Sequence, residues 1–496
     1  MRTTFAFAIF VLLAADIAAA DRPAKVLLIT DDTLAEAWQP FADWKTRQGK
    51  PAKIVTVDAI KQRYRGDDVQ QQIRACVLDH IDNHGTKWVV IGGDSGPDGG
   101  GIVPDRDTRH RQFRYADIPT DLYYISDQSW DANDDGIYGD WNDDRAAISY
   151  SHGGACIGRI PLRTVDDVMA YTNKVIAYES RYPTAGFATR LVYTCPESVA
   201  YPKLNTSRKA IAAKWNAGEL SQFFGNKTPW DRDKPGDYDL SPANWAKLVN
   251  DQATGKMHIH GHGLLPVWVL EGNRTVDKDT ISTLKNDTAF PVITTVSCFT
   301  GHFDAKQDPS ITEMMLRRPQ AGAIAIVAPS REGVPVFADR RDFRKMITEG
   351  KMDGTTRLLT DFWSQALEKD LTAGEALAAA KANMADDAAG HAGYHWCLCE
   401  LNLLGDPTLD LRSAAPKLPE VKFVAGIRPG KQQYRVHTDT PGATICLWQG
   451  DAVYEVATAG GSGEAEFTID PRSGEILLTV SGANLNTFAA SVKVSR

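Results

Sequence analysis

Cysteine is scarce in this chain, with seven among 496 residues. That density excludes a disulfide scaffold, in which closely spaced bridges stand in for a core. The odd count leaves at least one thiol without an intrachain partner. Long apolar runs are absent beyond the N-terminus, so no later segment is long enough to span a bilayer. A basic excess is lacking too: 55 Lys and Arg stand against 63 Asp and Glu, a net charge of −8. A protein that tracks a phosphate backbone needs the opposite balance, so nucleic acid is not an expected partner. The turn Gly92-Gly93-Asp94-Ser95-Gly96 lacks the Walker lysine and the dinucleotide-fold glycine spacing, which removes the phosphate-loop reading.

What is present begins with an export signal. Arg2 supplies a basic start, residues 5–13 an apolar stretch, and Ala18-Ala19-Ala20 a small-residue cleavage site. Asp16 interrupts the run too early for a membrane anchor. Cleavage after Ala20 would release a secreted or periplasmic protein. The remainder, 43% hydrophobic and 24% charged overall, has the composition of a globular protein of several domains.

Strand and helix signals alternate from residue 26. Apolar β-branched runs at 26–30, 52–57 and 88–94 predict strands, and helical periodicity predicts helices over 32–48 and 67–80. That order implies a parallel sheet. After a polar stretch rich in Gly, Asp and Trp (96–144), the segment 158–162 leads into a helix over 165–179. A hinge at 184–186 opens a second α/β unit, with a strand at 323–327 and a helix over 373–383. A linker follows at 413–420. Short alternating strands, among them 433–436, 444–448 and 475–480, then suggest a small β-sandwich. The expected division is a signal over 1–20, α/β units over 21–184 and 185–412, and a β-domain over 421–496. Cys397 and Cys399 are placed on a strand, on one face, as buried neutral thiols.

Two stretches carry the chemistry. His258-Ile259-His260-Gly261-His262-Gly263 and Thr294-Thr295-Val296-Ser297-Cys298 each read as a strand ending in a small-residue turn. Their separation suits one crossover between neighbouring parallel strands, and sites in such sheets gather at strand carboxyl ends. Thiol catalysis needs a nucleophile, an imidazole to move its proton, and N–H donors for the oxyanion. Cys298 and His262 supply the first two, and the Gly263 and Cys298 N–H groups the third. A thiol beside an imidazolium would be largely thiolate at neutral pH. A competing reading is a zinc hydrolase, because alternating His258, His260 and His262 can chelate from one strand face. Against it, no carboxylate stands beside the run.

Asp131, Asn133 and Asp135 occupy positions 1, 3 and 5 of a calcium-type loop, with Gly136 at the turn and the Ile137 carbonyl at position 7. Position 12 is Asn142 and not Glu, so Asp140, Asp143 or Asp144 would complete the shell. A solvated acidic loop without metal is the plainer alternative.

Several pieces together resemble the gingipain-like cysteine peptidases, peptidase family C25 of the caspase-like clan. They are Trp130-Asp131-Ala132-Asn133-Asp134-Asp135-Gly136-Ile137-Tyr138-Gly139, Gly158-Arg159-Ile160-Pro161, Gly261-His262-Gly263, Ser297-Cys298-Phe299-Thr300-Gly301, Gly322-Ala323-Ile324-Ala325 and Leu404-Gly405-Asp406-Pro407. The resemblance covers about residues 21–412 and implies a caspase-like α/β fold of two subdomains followed by an immunoglobulin-like β-sandwich. It implies a cysteine endopeptidase with Cys298 as nucleophile and His262 as imidazole, acting on protein or peptide substrates after Arg or Lys. It also implies structural calcium held by Asp131, Asn133, Asp135, Ile137 and Asp140. His260 is then expected to pack beneath the loop and His302 to lie at the site's rim, while no residue is assigned to orient the imidazole. Family members often carry a long pro-segment; with a first strand so close to the cleavage point, inhibition by one is not expected. A calcium-stabilised binding or adhesion module with a vestigial protease site is the alternative from another class.

Overall fold

A computed structural model of the chain describes residues 23–96, 100–110, 117–181, 187–188, 190–194, 219–224, 240–250, 254–287, 289–305, 309–333 and 352–496. The export signal and the expected hinge at 184–186 lie outside these residues. Among the described residues, no helix is long and apolar enough to cross a membrane.

Ten strands form the central sheet: β1 (Val26–Thr30), β2 (Ala52–Thr56), β3 (Trp88–Gly92), β4 (Cys156–Ile160), β5 (Arg190–Thr194), β6 (Glu219–Phe224), β7 (Lys256–Ile259), β8 (Val292–Thr295), β9 (Ala325–Pro329) and β10 (Leu401–Gly405). Their order is β2-β1-β3-β4-β10-β9-β8-β7-β5-β6. Strands β1, β3, β8, β9 and β10 are buried at every residue, which is why they read as largely apolar runs and not as alternation. Helices begin where a side chain can satisfy the first free N–H groups. Asp68 accepts from Gln71 N ahead of Val69–His84, and Thr164 from Asp167 N ahead of Val165–Ser180.

Two expectations change here. The sheet is mixed: β9 and β10 are antiparallel, whereas every other neighbouring pair is parallel. The two α/β units therefore run in opposite directions and meet edge to edge in one continuous sheet. The seam strand β10 comes from the second unit but pairs with β4 of the first through Leu404 and Arg159. Cys397 and Cys399 lie on a helix, Ala392–Glu400, and not on a strand. That segment is apolar all round, so period could not distinguish the two; both thiols are buried, as expected, and burial raises both pKa values.

The C-terminal unit holds a three-stranded and a five-stranded sheet. Tyr434, Val436 and Phe467 of the first share one apolar cluster with Ile445, Leu478, Val480 and Val492 of the second. The unit docks on the end of the helix Ala35–Arg47. Tyr454 Oη donates to the Thr46 carbonyl at 3.2 Å, and Gln48 Nε2 to Thr487 Oγ1 at 3.1 Å. Beneath this joint, buried Lys45 bridges Glu179 at 2.9 Å and Asp406 at 2.7 Å. Those two carboxylates hold the lysine's pKa up against burial. No disulfide joins the six described cysteines.

Candidate active site

β7 and β8 are parallel neighbours, with His258 opposite Thr294 and Ile259 opposite Thr295. The Val296 N–H extends the ladder to the Ile259 carbonyl at 3.2 Å. The chains beyond both strands therefore leave the sheet side by side, one carrying His262 and the other Cys298. A third feature closes the gap. A Cβ built on Gly263 would lie 2.6 Å from the Cys298 carbonyl oxygen, 2.6 Å from Thr300 Cγ2 and 2.9 Å from Ser297 Cβ. Only glycine allows this approach, and it sets the imidazole-bearing loop directly on the cysteine turn.

Each loop is fixed by its own contacts. Gly263 stands opposite Trp268 in a small hairpin whose tryptophan is buried. The Val269 N–H donates to the His262 carbonyl at 3.0 Å. That bond makes Gly263 and Trp268 a non-hydrogen-bonded pair, so the Gly263 N–H points away from its hairpin partner. On the other loop, Phe299 takes a left-handed φ of 61°, costly for an aromatic residue. Its N–H donates to the Arg331 carbonyl at 2.7 Å, and the Gly301 N–H to the Pro329 carbonyl at 2.9 Å. Thr300 Oγ1 donates to the Ser297 carbonyl at 2.8 Å. Cys298 thus sits on a pinned, sharp turn and is half-buried, while His262 is exposed.

The surroundings of the Cys298 thiol disfavour its ionised form in the free protein. Burial pushes the thiol up to about 11, the carboxyls of Glu400 and Glu332 push the same way, and a hydrogen bond from the Gly333 backbone only partly opposes them. Among the described residues no hydrogen bond joins Cys298 Sγ to His262. Glu400 was missed by sequence reasoning. It is fully buried, with its pKa raised well above the usual carboxylate range by burial, and Thr355 Oγ1 donates to it at 3.4 Å. The available signal was a lone acid inside the apolar run Trp396-Cys397-Leu398-Cys399-Glu400-Leu401.

The three alternating histidines do not converge. His258 is buried, with Nδ1 2.9 Å from Thr294 Oγ1, and burial drops its pKa well below normal. His260 stacks on Tyr193 at 6.3 Å between ring centroids, and His262 lies beyond the strand. The three rings thus have separate surroundings, which leaves the zinc reading without its ligand set. His302 faces Asp304 at 3.4 Å, and burial holds it down at about 4. Arg331 grips the same Asp304 through two bonds, 2.9 and 2.7 Å.

The acidic loop folds around its own backbone. The Asp131 carboxylate accepts from Asp135 N at 3.1 Å and Gly136 N at 3.0 Å, and Asp135 Oδ1 from Ile137 N at 2.9 Å. Asn133 Nδ2 donates to Asp135 Oδ2 at 3.0 Å. Asp140 caps the helical turn Trp141–Asp144 by accepting from Asn142 N. Asp144 accepts from Ala132 N at 2.7 Å and Asp140 N at 3.0 Å. Burial raises the Asp144 pKa, and the charges of Asp131 and Asp135 add to it, so these three carboxyls are close. Asp144 thus belongs to the same carboxylate-rich loop as Asp131 and Asp135.

Fold and site together define the class as an α/β cysteine peptidase. The family follows from direct comparison: peptidase family C25 matches residues 19–412, and the chain belongs to that family. Its substrates are accordingly proteins or peptides. Membership leaves the adhesion-module alternative without support. No curated protein matches the sequence. Among solved structures, the fold is similar to that of the Arg-specific cysteine proteinase gingipain R (RgpB), with a TM-score of 0.69 at 17% identity, covering 97% of this chain and 100% of that one. The complex of the pro- and mature domains of Porphyromonas gingivalis RgpB gives a TM-score of 0.69 at 17% identity, over 95% of this chain and 100% of that one.

Proposed function

We propose that this protein is an exported endopeptidase that cleaves after Arg or Lys, with Cys298 as nucleophile and His262 as its proton carrier. The close seat of Gly263 on the Cys298 carbonyl is the observation that carries the reading, because it joins the two loops at one point. The protonated thiol means that proton transfer accompanies attack. Sγ bonds to the scissile carbonyl carbon as its proton passes to His262. The Gly263 and Cys298 N–H groups hold the oxyanion. His262 then protonates the departing amine as the C–N bond breaks. Water, giving a proton back through His262, hydrolyses the thioester and restores the thiol. Glu332 beside the thiol favours a cationic side chain next to the scissile bond.

Export rests on the Arg2 to Ala20 segment, and the two C-terminal sheets with one core favour an immunoglobulin-like domain. Calcium would be held by Asp131, Asn133, Asp135, the Ile137 carbonyl and Asp144, with Asp140 shaping the turn, and would neutralise clustered carboxylates. Chelation should lower Tm by a few degrees, with recovery on calcium add-back; an unchanged Tm would remove calcium from the reading.

The function is tested with a fluorogenic peptide library varied at P1, offered to wild type and Cys298→Ala with calcium present. Cleavage by wild type alone, strongest after Arg or Lys, is the expected result. Equal cleavage by both proteins would refute the thiol mechanism, and wild-type cleavage with another P1 preference would refute only the specificity.

A further inference from the structure

Behind the seam of the sheet lies a small cavity of about 20 Å³, walled by Asp121, Arg159, Leu377, Lys381, Asn402 and Leu403 among others. The volume is enough for about one water-sized occupant. Tyr150, Ile157 and Ala378, also in its wall, are partly exposed and mark its mouth. Lys381, on the helix Ala373–Ala382, is only 4% exposed. Among the described residues its ammonium has no hydrogen-bond or ion-pair partner, so water or a small ligand in the cavity must solvate it.

The other polar groups of the wall are spent elsewhere. Arg159 holds Asp121 through two bonds, 2.8 and 2.5 Å. Its remaining donors reach the carbonyls of Gly93 at 2.9 Å, Val103 at 2.7 Å and Pro104 at 3.2 Å. Asn402 Nδ2 donates to the Glu400 carbonyl at 2.9 Å. Tyr150 Oη is engaged with His395 Nδ1 at 2.8 Å. Asp121 is therefore neutralised by Arg159. The two remaining acids within electrostatic reach of Lys381, Glu400 and Cys399, are both kept protonated by burial. Among the described residues one positive charge is left over, facing this cavity.

We infer that this cavity is a binding site for a small monovalent anion, chloride in ordinary solution, with Lys381 as its counter-ion. Because Asn402 ties the cavity wall to the Glu400 backbone, the bound ion steadies the segment that borders the Cys298 thiol. The inference does not depend on which peptide is cleaved, and its test does not read activity.

Two readouts on the full chain test it. Crystals grown in sodium bromide near neutral pH should show anomalous density in contact with Lys381 Nζ. In solution, at constant ionic strength, replacing a bulky organic anion by chloride from about 5 to about 200 mM should raise Tm by about 2 °C. Burial brings the Lys381 amine down to about 8, so the chloride effect should be present at pH 6.5 and lost at pH 9.5. Asp121, Arg159, Glu400, Cys399 and Tyr150 face that amine, and Cys399 at about 12 stays protonated across this window. Lys381→Met should abolish the chloride-specific rise. A cavity peak without anomalous signal would overturn the inference, as would bromide density with no chloride-specific stabilisation of wild type, which is binding at crystal concentration only. Should Lys381→Met fail to fold, these wild-type results decide alone.

Discussion

His262 and Cys298 follow two neighbouring parallel strands, whereas His110, His395 and Cys399 meet inside the core with potential ligand atoms within 4.8 Å of one another. By composition, the second group is the better candidate for thiol or metal chemistry. The two ring nitrogens of its His395 are already used. His395 Nδ1 faces the Tyr150 hydroxyl at 2.8 Å, and Nε2 faces the Gly139 carbonyl at 3.0 Å. Burial drops His395 to about 4 and His110 well below normal, and lifts the Cys399 thiol to about 12. The strand-end pair has the opposite provision. Cys298 is partly exposed, His262 is exposed, and a left-handed Phe299 and a close-packed Gly263 fix the two loops. Proximity of residue types does not make a site; access and uncommitted hydrogen-bonding capacity do.

The contrast is broken most strongly by exchanging the thiols. Cys298→Ala should lower kcat/KM by at least about 10⁴-fold, while Cys399→Ala should leave kcat/KM within about twofold. Loss of activity from Cys399→Ala in a folded protein would move the chemistry to the core cluster. Next in size is Gly263→Ala. Its methyl group must displace the Cys298 carbonyl or Thr300, and a shift of the site by about 1 Å costs about 10²-fold in kcat/KM. Unchanged kinetics would mean that the two loops do not need this approach.

The pH dependence of alkylation sharpens the difference further. With the thiol near 11, the reaction of Cys298 with iodoacetamide in the substrate-free enzyme should rise about tenfold per pH unit between about pH 7 and 9, because only the thiolate reacts. A plateau at neutral pH would reveal a resting ion pair with an imidazolium. The smallest effect is on stability. Cys399→Ala removes a fully buried sulfur and should cost about 1–2 kcal/mol in urea unfolding. Cys298→Ala, at a half-buried turn, should cost less.

Much of the framework was legible because the responsible forces are local. Runs of Val, Ile and Leu bounded by turn residues marked β1, β2 and β3 to within two residues. The sole excess of the second, Val57, is the first residue of a short helix, Val57–Arg63, capped by Thr56. The resemblance in ordered motifs brought His262 and Cys298 together on paper. Their residue types alone could not separate His262 from His258 and His260, since strand neighbours differ only in what surrounds each ring. Glu400 stayed hidden because a buried carboxyl has no sequence period of its own.

The sequence alone determined the first strands, the family and the two strand-end turns, since apolar pattern, caps and glycine positions act over a few residues. Tertiary structure alone decided that both α/β units share one mixed sheet, because strand order depends on pairings between distant segments. It also set the electrostatics of the thiol. The cysteine that reads as activated beside a histidine has its pKa pushed up, first by burial, because the cost of charge depends on the whole environment and not on sequence neighbours.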